Sequence, residues 1–260
     1  MKTIKDFLSV VDLQTLIVSI LALGSTFACE YFGVTADIPT SLIGLAVVFP
    51  IVFSINAAYK RREDALKFFG GLKAHAVALY WAHRDWVPGA GGKESAHAGR
   101  VRGIIENLLG SIKDDLKNSG RSQQSFEKAI GEFSRFSGSL EELREAKVTN
   151  SEISRANQYV SKMMIDYERM RNIATYRTPV TLRAYSRVFL NIFPIAFGPY
   201  FAYLNCETFP IAGYFVAVLY ALVLVTLDNL QEDLEDPFDR LGPDDIQLNV
   251  VAEYQPLINR

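Results

Sequence analysis

The sequence predicts an all-α membrane protein with four transmembrane helices in two pairs and a cytosolic helical bundle between the pairs. Three observations carry that expectation. Four apolar runs, Leu13–Phe32, Ile38–Ala58, Val188–Leu204 and Phe209–Leu227, each approach the about 20 residues that a helix needs to cross a bilayer core. A charged block, Tyr59 to Ala184, separates the pairs, so a mean hydropathy of +0.10 coexists with 22% charged residues. Lys and Arg are confined to one side: the hairpin connections Gly33–Asp37 and Asn205–Thr208 contain none. The positive-inside rule then places both termini and the central block in the cytoplasm, as a multi-pass protein of the inner or plasma membrane.

The chain divides at this level into transmembrane helices 1 and 2 (1–58), a cytosolic helical domain (59–184), transmembrane helices 3 and 4 (185–230) and an acidic tail (231–260). The first run is too long for the apolar part of a signal peptide, and Glu30 stands where a small-residue cleavage site belongs. The second does not stop at the membrane. No charge interrupts Ile38–Tyr59, and Lys60, Arg61, Arg62, Glu63 and Asp64 follow with no turn signal between. A single helix leaving the lipid for a charged body suits a pore or a coupling element.

Within the central block, apolar residues recur at helical spacing. Val101, Ile104, Ile105, Leu108, Leu109, Ile112 and Leu116 make one stripe, with Glu106, Lys113, Asp114 and Asp115 mostly off it. Phe126, Ile130, Phe133, Leu140 and Leu143 make a second, and Ile153, Ala156, Val160, Met163, Met164, Tyr167 and Met170 a third. Breakers at Val87–Gly92, Asn118–Gly120 and Thr149–Ser151 separate them. No alternating run argues for a sheet, and no repeat of solenoid period is visible.

Several chemistries find no support. Gly89, Gly91, Gly92 and Lys93 lack the spacing, the following Ser or Thr and the preceding strand of a phosphate loop, and read as a surface turn. His75, His83 and His97 lack metal-ligand spacing and read as packing or surface groups. No Ser-His-Asp set or carboxylate pair stands out, so the chain is not read as an enzyme. A net charge of −2 gives no basis for nucleic-acid binding. The two cysteines, Cys29 and Cys206, fall at the outer ends of their helices and read as small residues near the lipid boundary, with a disulfide as the alternative.

Phe53–Gly70 (FSINAAYKRREDALKFFG) resembles, without a gap, the bestrophin-like signature FRNNASYDRWWEARKLWG of bacterial and plant members, with Asn56, Ala57, Tyr59, Arg61, Ala65, Lys67 and Gly70 matching. Ile38-Pro39-Thr40-Ser41 is similar to the Ile-Pro-x-Ser that opens the pore helix of animal bestrophins. Leu234–Phe238 (LEDPF), with Asp244-Asp245 beyond, resembles the family's acidic segment before Pro-Phe, and Thr178-Pro179 is also similar. Arg62 and Glu63 depart from the family's Trp pair.

The resemblance implies a homopentameric ring that passively conducts chloride and other inorganic anions through the bilayer. Five copies of the second helix would line an apolar neck. Counting back from Tyr59 along the match puts the neck at Ile38, Leu42 and Ala46, an i, i+4, i+8 row, and the wider cytosolic vestibule would end in a second aperture, for which Ile153 is the candidate. Asn56, Tyr59 and Arg61 mark the helix exit. No resident cofactor is implied. The tail acids Asp233, Asp236, Asp244 and Asp245 are a candidate cation-binding group on charge grounds, without calcium gating, and Pro237-Phe238 is expected to dock the tail on the helical block. An uncharged neck imposes no sign, which leaves a cation-selective relative as one alternative and a non-conducting membrane scaffold or regulator as another.

Overall fold

The computed structural model describes residues 12–37, 40–88, 96–176, 180–205, 209–240 and 244–250, with the side chains of 40–50, 96, 180–183, 185 and 186 outside the description. Among the described residues the chain is helical with no strand. In order, the helices are α1 (Leu13–Tyr31), α2 (Thr40–Asp85), α3 (Ala96–Lys117), α4 (Gln123–Glu145), α5 (Asn150–Thr175), α6 (Val180–Ala196), α7 (Gly198–Leu204) and α8 (Ala212–Glu235). They fall into two compact units, residues 1–60 with 178–235 and residues 61–177 with 236–260.

Cap chemistry sets two helix starts. Asp12 Oδ1 accepts the Thr15 N–H at 2.9 Å at the head of α1, and Ser122 Oγ accepts the Ser125 N–H at 3.3 Å at the head of α4. The turn between α3 and α4 needs left-handed backbone at Ser119 (φ 54°) and Gly120 (φ 62°). That conformation is the physical content of the Asn-Ser-Gly breaker.

In the first unit, α1 packs with α6, α7 and α8. Val18, Ala22, Phe197, Phe201, Ala217, Ala221 and Val225 form one buried cluster, and Ile51, Leu190 and Leu224 a second. Among the described residues two helices, α1 and α8, are long and apolar enough to cross a bilayer. The third apolar run is not one helix. It divides at Phe197 into α6 and the seven-residue α7. Proline is the reason: with Pro199 in place, the Ile195 carbonyl has no i+4 N–H to accept, and Ser25 Oγ donates to it instead at 2.7 Å. Gly198 sits at this crossing, where a Cβ would press on the backbone carbon of Ser25 at 3.0 Å. Helix α1 turns Leu13, Leu16, Ile17, Ile20 and Phe27 outward, and α8 does the same with Phe215, Leu219 and Val223. Water would penalise such apolar faces, and lipid would not.

In the second unit, the part of α2 beyond Arg61 packs with α3, α4 and α5 around one core that includes Leu72, Leu79, Tyr80, Ile105, Leu108, Ile112, Phe136, Leu143, Met163 and Tyr167. The stripes read from the sequence supply most of these residues. Met164 departs from its stripe at 40% exposure, because it lies one position round the helix from Met163, which is fully buried. The chain returns to this core after α8: Phe238 is fully buried in it, and Ile246, Leu248 and Val250 are buried with Gln247 and Asn249 exposed between them. That alternation is the signature of an extended segment laid on an apolar surface.

Candidate functional site

Helix α2 runs 46 residues without a break, from Thr40 to Asp85, roughly 70 Å at 1.5 Å per residue. Of the predicted neck, Ile38 lies outside the described residues. Leu42 and Ala46 lie on the helical backbone with their side chains outside the description. Helical geometry alone puts them on one face, one turn apart.

The exit motif resolves into different roles. Asn56 and Tyr59 are exposed, Tyr59 at 52%. Arg61 is a clamp: its Nη2 donates to the carbonyls of Ile173 at 2.6 Å and Tyr176 at 2.9 Å, where α5 ends. Carbonyls at a helix C-terminus lack intrahelical donors and carry partial negative charge, so a guanidinium is a fitting cap. Its neighbour Arg62 donates through Nε to the Asp244 carbonyl at 2.7 Å and pairs with Glu63 at 2.9 Å. Arg61 and Arg62 thus hold α5 and the tail.

Two further contacts secure that tail. The Ile246 N–H donates to the Pro237 carbonyl at 2.8 Å, closing the loop, and Lys113 Nζ donates to Asn249 Oδ1 at 2.9 Å. Asp236 is buried, and Ser119 Oγ lies 3.3 Å from its Oδ2. Asp233 lies in α8, Asp244 is exposed and Asp245 is half-buried. Among the described residues no group of three or more His, Cys, Asp or Glu side chains is placed to hold a metal ion. Ile153 is 6% exposed within the core of the second unit, at the edge of a surface cavity of about 360 Å³ shared with Leu140, Arg144, Asn150 and Asn157. Cys206 lies outside the described residues, and with it the question of a bond to Cys29.

Buried polar groups are where the sequence was least informative. Asp115, placed off its apolar stripe by its chemistry, is fully buried. Its Oδ2 accepts from Tyr167 at 2.8 Å and from Arg171 Nε at 3.2 Å, and Arg171 Nη2 goes on to the Gly120 carbonyl at 2.9 Å. Burial and the adjacent carboxylate push the Tyr167 hydroxyl well above its ordinary value. In the first unit Asn191 links Gln14, which donates to it at 2.8 Å, to Asp228, which accepts from it at 3.3 Å. Arg187 pairs there with Glu232 at 2.6 Å. A Gln, Asn or Asp interrupting an apolar run is the only signal the sequence offers for such a network.

No protein-family model matches the chain, and no curated protein matches it in sequence. Solved structures do match. Two variants of a bacterial bestrophin homologue from Klebsiella pneumoniae align with TM-scores of 0.75 and 0.76, at 18% and 19% identity, covering 92% and 95% of this chain and 95% and 97% of theirs. A structure described as a membrane protein covers all of this chain and 96% of its own at a TM-score of 0.74 and 21% identity. The fold is bestrophin-like. The structure that covers all of this chain takes in every helix, and Phe53–Gly70 falls where α2 passes from the first unit into the second.

Proposed function

We propose that this chain is the subunit of a pentameric, bestrophin-like ion channel in which five α2 helices surround a passive conduction path for chloride and other inorganic anions. The observation that carries the reading is α2 itself: 46 residues without a break, on a bestrophin-like fold, with the signature Asn56-Ala57, Tyr59 and Arg61 at its midpoint. Around it, α1 and α8 turn apolar side chains outward, as helices against lipid do. One such helix cannot enclose a path alone, and a closed ring of identical subunits can. Apolar side chains at Ile38, Leu42 and Ala46 would make ions shed part of their hydration, so ring width and wetting set the conductance. The termini and the second unit face the cytoplasm, because the basic residues lie on that side.

The test is single-channel recording of purified protein in planar bilayers under a KCl gradient. Unitary currents reversing near the chloride equilibrium potential are the expected result. Reversal near the potassium potential assigns a cation channel, and silence from a correctly assembled protein assigns a scaffold. Native mass spectrometry in detergent measures the ring, where five copies are expected and monomers alone would remove the channel reading.

A further inference from the structure

His83 belongs to nothing described above. It lies in the last turn of α2 and is fully buried, although the sequence marks it as an ordinary packing or surface residue. Its Nε2 is 3.2 Å from Ser139 Oγ on α4, and that hydroxyl donates to the Phe136 carbonyl at 2.8 Å. A serine has one hydroxyl proton. With that proton directed to the carbonyl, the oxygen accepts, and His83 carries its hydrogen on Nε2. Nδ1 is then a bare acceptor, buried and without a hydrogen-bond partner. A second proton there would create both a donor and a charge with nothing to receive them.

The charged groups around this point are already paired. From the first turn of α3, Arg100 holds Glu142 of α4 through both carboxylate oxygens at 3.1 and 2.8 Å, and His97 Nδ1 is 2.7 Å from the same carboxylate. On α2 itself Arg84 pairs with Asp85 at 2.7 Å. From α5, Arg155 lies 5.6 Å over the Trp86 ring and 3.3 Å from Glu152. Asp85, Glu142 and Glu152 each have an arginine, so among the described residues no carboxylate stands ready for an imidazolium at residue 83. Burial sets the direction, holding His83 down to about 4, while Glu142 opposes that shift and His97 and Arg100 reinforce it.

We propose that the meeting point of the α2 end, the α3 start and the α4 end is an acid-released latch, closed while His83 is neutral and opened by its protonation. The proposal is independent of the conduction reading. The sign follows from linkage. A histidine whose folded form holds protons less well than the unfolded chain contributes stability above about pH 6.5, and loses it as pH falls from there toward 4. If the opened junction protonates at 6.5 and the closed one at about 4, opening is favoured about 30-fold more at pH 5 than at pH 8. Glu142 stays ionised at pH 5, because its arginine and histidine partners hold it below its ordinary value.

Hydrogen-exchange mass spectrometry on the full chain in detergent, corrected for intrinsic exchange, reads this directly from peptides covering residues 97–104 and 136–145. Wild type should show a rise in opening of about 30-fold between pH 8 and pH 5, and His83→Gln should show a flat response at this junction. Ser139→Asp is the second arm: a carboxylate at the hydroxyl's position would retain the imidazolium and abolish or invert the acid response, even if His83→Gln does not fold. A wild-type change below about threefold would overturn the latch. So would an undiminished acid response in either variant.

Discussion

The hydroxyl of Tyr167 donates to Asp115 Oδ2 at 2.8 Å, joining α5 to α3 at a point where both residues are fully buried. Tyr167→Phe leaves the carboxylate with Arg171 as its named partner and should lower stability by about 2 kcal/mol, read as a lower thermal midpoint in detergent. The raised hydroxyl value adds an alkaline signature. Tyrosine stability of this kind is present below about pH 10 and lost as pH rises toward the folded value. Wild type should weaken above pH 10 more steeply than Tyr167→Phe, and parallel curves would rule the bond out as a contributor.

Glu142 supplies the opposite slope. Its carboxyl is held down first by the Arg100 hydrogen bond, against the effect of burial, with His97 adding to it. Stability from this group is present above its ordinary value near 4.5 and is lost as pH falls through the folded value. Acid melts of Glu142→Gln should start lower at pH 7 and fall less between pH 5 and pH 3 than those of wild type.

The clamp at Arg61 predicts a local effect. Arg61→Lys keeps the charge but replaces a planar fork by a single ammonium, which cannot hold the Ile173 and Tyr176 carbonyls with the same geometry. Amides 172–176 at the end of α5 should exchange about tenfold faster, a loss of about 1.4 kcal/mol, while the centre of α5 is unchanged.

Phe238 tests whether the tail is part of the body. It is fully buried in the core of the second unit, so Phe238→Ala should cost about 3–5 kcal/mol and truncation after Asn229 should cost more. Equal thermal midpoints for wild type and Phe238→Ala would show that the tail is dispensable.

Leu42 tests the proposed conduction path. Leu42→Ala should widen and wet the neck and raise unitary current without loss of the ring. Leu42→Asp should shift the reversal potential toward that of potassium through added negative charge. Unchanged current and reversal in both variants would remove Leu42 from the path.

How far the sequence was legible depends on whether a residue's chemistry agrees with its position. Val101, Ile105, Leu108, Ile112 and Leu116 are all buried on one face of α3, because apolar side chains at 3.6-residue spacing have one favourable place to go. Asp115 sits beside Leu116 on that face although its chemistry sets it off the apolar stripe, because nothing local reports that Tyr167 and Arg171, more than fifty residues away, would supply its partners. The pairing of His83 with Ser139, 56 residues away, escapes notice for the same reason. The division at Phe197 was obscured because a hydropathy window averages over Pro194 and Pro199. The alternation Ile246, Leu248, Val250 spans only five residues, too short to separate from chance without the surface it covers. The proposed neck rests on the match to Tyr59 and the continuity of α2.

The second unit has a discontinuous core, and this bears on how the protein is made. Its helices end by Thr175, yet Phe238, Ile246, Leu248 and Val250 emerge only after α6, α7 and α8 have been synthesised. At about 5–20 residues per second the ribosome takes on the order of 3–15 s to deliver them. During that interval the apolar surface which they cover stays open while the remaining helices are made. Biogenesis therefore passes through a stage in which the helices of the second unit depend on a chaperone, or on the nascent chain's own restraint, to avoid pairing with the wrong surface.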